Sequence, residues 1–103
     1  MVASKDDERR IDKRVPFIQE VEIVGMGTRR CSDLSVGGMY LETIAPYTPG
    51  EALPLRLKLQ ESDPRPIEVQ SRVLYVHPGI GVGLGFVDLK SEDRKRIEKM
   101  VYS

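Results

Sequence analysis

The sequence predicts a mostly β fold: a small six-stranded antiparallel β-barrel with a C-terminal α-helix and a flexible N-terminal segment. Three observations carry this reading. Apolar residues recur at every second position through most of the chain after Val15. Clusters of Gly, Pro, Asp and Ser break that pattern at short intervals, and a helical period replaces it only beyond Ser91. A chain of 103 residues makes one domain with a single modest core. Closing its sheet removes edges that so small a domain has little else to cover.

Residues 1–14, "MVASKDDERRIDKR", are mostly charged and cannot offset their ordering entropy alone. They form the flexible segment, and residues 15–103 form the barrel domain with its helix. "VPFIQEVEIVG" reads as the first strand, with Phe17, Val21 and Ile23 inward and Pro16 near its start, where a missing amide donor is tolerated. "TRRCSDLS" and "GMYLET" flank a double glycine as two strands or one bent strand. Pro49-Gly50 suits a tight turn.

"LPLRLKLQ" alternates, with Leu53, Leu55, Leu57 and Leu59 on one face. "IEVQSRVLYVH" follows as a long strand. Ile67, Val69, Val73 and Tyr75 share its inner parity, which places Tyr75 in the core rather than at the rim as a stacking partner. Its "VLYV" half is apolar on both faces, so its outer side is expected to be covered. In "GIGVGLGFVDL" Val82, Leu84 and Phe86 face one way, while alternate glycines leave a flat strip opposite, suited to close approach or a sharp bend. Ser91 is the expected N-cap of the closing helix. Ile97, Met100 and Val101 form its buried stripe, and Lys95, Arg96 and Lys99 face water or the negative helix end.

Composition narrows the function. Lys plus Arg and Asp plus Glu number 16 each, so a generic polyanion binder is disfavoured. A single cysteine, Cys31, excludes an internal disulfide and a cysteine-rich zinc site, and fits a reduced setting. The first residues lack the apolar core of a signal peptide, and no apolar run reaches membrane-spanning length. A cytoplasmic protein with no membrane insertion is expected. It is not expected to be an enzyme: the one histidine, His77, sits before Pro78 with no triad partner nearby, and reads as structural. No HExxH, CxxC or EF-hand pattern points to a metal, and the glycine run fails the GxGxxG spacing because Phe86 replaces the last glycine. No catalytic residue, metal or cofactor is assigned.

Binding is better supported. Arg9, Arg10 and Arg14 lie just ahead of the first strand, and Asp33, Ser35, Gly37 and Gly38 stand together between the next two. A solvated charge run and an ordinary turn would account for each group by itself. Together they suit a guanine nucleotide. Guanidinium groups grip phosphates and the O6/N7 edge of guanine in a forked way, a carboxylate accepts from guanine N1 and N2, and glycines admit a ligand to the backbone.

These residues resemble the two-part signature of the PilZ domain family, bacterial receptors for the second messenger cyclic di-GMP: RxxxR before the first strand, then (D/N)xSxxG. The first half is Arg10-Ile11-Asp12-Lys13-Arg14, the second Asp33-Leu34-Ser35-Val36-Gly37-Gly38. The resemblance runs over the whole chain and implies roles position by position. Arg10 and Arg14 would grip guanine and phosphate as the N-terminal segment folds over the ligand. Asp33 and Ser35 would bond a guanine edge, and Gly38 would allow the turn. Arg9, just before the signature, would accompany an intercalated dimer of cyclic di-GMP. The implied output is a partner-binding surface changed by ligand and read by an effector protein in trans or through a homo-oligomer. A ligand-independent PilZ-like scaffold for motility or pilus control is the alternative. An oligonucleotide-binding barrel is disfavoured by neutral charge and by aromatics at only 6% of residues.

Overall fold

A computed structural model describes residues 13–103 of the protein. The six expected strands are present: β1 (Val15–Ile23), β2 (Gly27–Leu34), β3 (Gly38–Glu42), β4 (Ala52–Leu57), β5 (Ile67–His77) and β6 (Gly81–Val87). One helix, α1 (Ser91–Val101), follows them. The strands close into an antiparallel barrel in the order β1-β2-β3-β6-β5-β4. β1 meets β4 across the seam through two register pairs, Glu22 with Arg56 and Ile23 with Leu55.

Alternation sets the interior. Phe17, Val21 and Ile23 of β1, Leu53, Leu55 and Leu57 of β4, and Ile67, Val69 and Val73 of β5 are all buried, as are Val82 and Leu84 of β6. Leu59 lies past the end of β4 and is still buried. The helix adds Ile97 and Val101 to the same core, with Met100 packed against it. Gly50 takes a φ of 93°, the left-handed region that the Pro49-Gly50 turn requires and that favours glycine. Asp88, at φ 61°, turns the chain out of β6 toward α1, a conformation that Asp tolerates better than most residues.

Four expectations are corrected. Tyr75 is not in the core: β5 carries an extra residue between Val73 and Tyr75, and that bulge flips the parity so that Tyr75 is 41% exposed. The outer side of "VLYV" is not covered either, since Leu74 is exposed. Ser91 is not the N-cap. Lys90 holds that position with extended backbone and no side-chain cap, and Arg94 N–H donates to Lys90 O at 2.8 Å. Ser91 is already helical, one residue too late for its hydroxyl to cap. Arg96, finally, is drawn in from solvent. It pairs with Asp93 at 3.2 Å and Asp63 at 3.5 Å, and donates to Arg65 O at 3.0 Å, clasping α1 to the β4–β5 connection.

Candidate functional site

Asp33 and Arg14 meet on the outer wall of the barrel. Asp33 is near the end of β2, facing outward opposite Tyr40 of β3, and Arg14 immediately precedes β1. Because β1 pairs with β2 in a register that sets Pro16 opposite Asp33, the residue just upstream of the strand is delivered to that carboxylate. Arg14 Nη1 donates to Asp33 Oδ1 at 2.6 Å. With the two side chains 38% and 34% exposed, such a pair is worth about 0–1 kcal/mol, little enough for a better partner to displace it. Lys13 Nζ lies 5.5 Å from the Tyr102 ring centre, a second contact at the base of the leader. Arg9 and Arg10 lie outside the described residues.

Ser35 and Gly38 build the turn that holds Asp33 in place. Ser35 is buried, its Oγ accepts from Gly38 N–H at 3.1 Å and donates to Gly38 O at 3.2 Å, and Ser35 N–H donates to the same carbonyl at 2.8 Å. The hydroxyl is thus turned inward, while the carboxylate two residues before it faces out. Gly38 has no room for a side chain, because a Cβ there would overlap the Leu84 carbonyl of β6. Gly37 differs: nothing lies within 4 Å of where its Cβ would be, and its carbonyl accepts from Phe86 N–H at 2.8 Å. Gly37 therefore leaves open surface at the tip of the β2–β3 turn.

Two further groups flank the turn. Cys31, two residues before Asp33 but facing inward, has its thiol pushed up to about 12, chiefly by burial and partly by the nearby Asp33 charge. A thiol so protonated is a poor nucleophile at neutral pH. Tyr40, next to Asp33 on β3, has its hydroxyl pushed up by desolvation first, then by Tyr75, Glu42 and Asp33.

The aromatic neighbours of Asp33 were not legible as a group. Tyr40, Tyr75 and His77 cluster on the outer wall, with ring centroids 5.1 to 6.4 Å apart. Tyr40 OH and His77 Nδ1 are 2.9 Å apart, in hydrogen-bond contact. The rings lie on the glycines of β6: a Cβ on Gly81 would come within 2.6 Å of the Tyr40 ring, and one on Gly83 would overlap the Tyr75 ring. The signal was present in the alternating glycines. A strip without side chains in a sheet invites neighbouring aromatics to lie across it.

A small closed barrel with a helix behind it, bearing an arginine of the leader on its wall, defines the class of domain. The PilZ domain family model matches residues 8–103, and the chain belongs to that family, whose members are in general receptors for cyclic di-GMP. No curated protein matches the sequence. Among solved structures, the Bacillus subtilis inhibitor of motility MotI/DgrA is similar, with a TM-score of 0.75 and 19% identity over 86% of this chain. The match takes in 47% of MotI/DgrA, so this chain spans about half the length of that protein. The PilZ domain of CeSA from a cellulose-synthesizing bacterium is similar too, with a TM-score of 0.56 and 18% identity over 86% of this chain and 94% of that domain. At these identities the two structures speak to the fold. Among the described residues, no helix is long and apolar enough to cross a membrane.

Proposed function

We propose that this protein is a cyclic di-GMP receptor of bacterial second-messenger signalling, acting in the cytoplasm as an adaptor and not as a catalyst. The observation that carries the reading is the meeting of Arg14 and Asp33, one from each half of the signature, on the open wall of the barrel. Arg14 and Arg10 grip guanine and phosphate. Asp33 accepts from a guanine edge, Ser35 and Gly38 hold the turn, and Gly37 leaves the approach clear. Arg9 supports an intercalated ligand dimer. Ordering a residue costs about 1–2 kcal/mol, and forked arginine contacts return about 1–3 kcal/mol each. The balance favours ligand-driven ordering of the leader only because Lys13 and Arg14 are already seated at its base. The ordered leader then changes the surface offered to an effector protein, as a motor or synthase component would require, or to a second copy of the chain.

One observation favours the other reading, a ligand-independent scaffold: Arg14, Asp33, Ser35 and Gly38 all have internal partners or packing roles. Calorimetric titration with cyclic di-GMP separates the two. A receptor releases heat on titration, loses affinity about tenfold or more in Arg14→Ala and in Asp33→Ala, and gains amide protection over residues 5–14 only with ligand. A scaffold gives no binding at millimolar ligand.

A further inference from the structure

The geometry points to Tyr75 as a stacking face for a purine of the nucleotide held at Arg14 and Asp33, an inference that rests on the receptor reading above. Strand register sets Asp33 opposite Tyr40, Tyr40 opposite Gly83, and Gly83 opposite Tyr75, so the four form one row across four strands. Strands lie about 4.8 Å apart, which puts Gly83 about 10 Å along the wall from Asp33. The far end of the Tyr75 ring lies over Gly83, so the ring reaches back toward the carboxylate instead of out into solvent. A dinucleotide with one base at Asp33 brings its remaining atoms over this ground.

Three features suit the ring to stacking. The bulge in β5 turns Tyr75 outward and leaves it 41% exposed, and bulges commonly re-aim side chains beside binding sites. Tyr40 and His77 both pack beside it, at centroid distances of 6.4 and 5.1 Å, so part of its rotamer freedom is already lost before a base arrives. Glycine at position 83 keeps the ring low against the sheet. A flat apolar face on the same wall as a guanidinium and a carboxylate suits a ligand with more than one purine, each offering a π-face and a hydrogen-bonding edge.

The test is titration of the full chain with cyclic di-GMP, comparing wild type with Tyr75→Leu and Tyr75→Phe. Loss of the ring in Tyr75→Leu is expected to weaken binding roughly 5- to 150-fold, the range for one base–aromatic stack. Tyr75→Phe keeps the face and is expected to bind within about twofold of wild type. Unchanged affinity in Tyr75→Leu overturns the proposal, and so does a Tyr75→Phe loss as large as that of Tyr75→Leu, because the hydroxyl would then carry the contact. Proton NMR of the wild-type complex decides independently of how the variants fold: stacking moves a purine H8 upfield with a cross-peak to the Tyr75 ring, and its absence overturns the assignment. Wild-type protein that ignores cyclic di-GMP removes the receptor reading and the stacking with it, whereas binding without these signatures removes the stacking alone.

Discussion

Gly37 and Gly38 are adjacent in the β2–β3 turn, yet they are glycine for different reasons. Gly38 is pressed against the backbone of β6, where a Cβ would overlap the Leu84 carbonyl, while Gly37 faces open space. Two glycines on the outer strip of β6 are a third situation: Gly83 is covered by the Tyr75 ring and Gly85 by Leu74, both side chains that can move. A glycine closed by backbone belongs to the architecture of the barrel, and one closed by a side chain belongs to the surface laid over it. A glycine with nothing above it is free to serve what comes from outside. One residue type in the sequence thus conceals three different constraints.

Substitution at each position tests that ranking. Gly38→Ala is expected to cost about 3 kcal/mol or more, or to prevent folding, because neither backbone can retreat without breaking the β3–β6 ladder; urea unfolding measures it. A fully stable variant would mean that the two strands are not held so closely. Gly83→Ala is expected to cost about 1–2 kcal/mol, since the Tyr75 ring can swing away. Combining it with Tyr75→Ala in a double-mutant cycle should give a cost below the sum of the two singles, and additivity would show that the ring does not rest there.

A smaller effect sharpens the contrast between the inward and outward sides of β2. The raised thiol of Cys31 favours the protonated form in the fold, so its contribution to stability is intact below the unfolded value of 9.0 and declines as pH rises toward about 12. The slope can be no steeper than about 1.4 kcal/mol per pH unit. Unfolding curves of wild type and Cys31→Ala over this range measure it as the difference between two slopes, and parallel slopes would refute it. The least effect belongs to Gly37→Ala, expected within about 0.5 kcal/mol of wild type in stability. If the open wall is where the nucleotide arrives, that same variant weakens cyclic di-GMP binding in titration while leaving the melting curve in place.

Much of the barrel was legible in single-strand patterns. Leu53, Leu55, Leu57 and Leu59 alternate without interruption, and all four are buried. Pro49-Gly50 turns as its residue types demand. Local pattern failed where a neighbour sets the outcome. The parity of Tyr75 depends on one extra residue in β5, and nothing within "VLYV" indicates which residue is extra. The cap of α1 depends on where the chain leaves Asp88, so Ser91 arrives in the helix instead of before it. The site was legible to the same degree. Arg14 and Asp33 could be named from their types and spacing, whereas their contact follows from the β1–β2 register, and the aromatics beside them emerge only when four strands are laid in order.

The narrow seam has a mechanical consequence. β1 is fastened to β4 through Glu22 and Ile23 at its far end, while its first residues pair along one side with β2 and carry a bulge between Pro16 and Gln19. The strand that receives the leader is therefore a lever clamped at one extremity. A pull at Arg14 can tilt that end of the wall while the clamp and the core beneath it stay in place, and the amides of Val15 and of Phe17 to Gln19 should be the first in the barrel to trade their protons for deuterium.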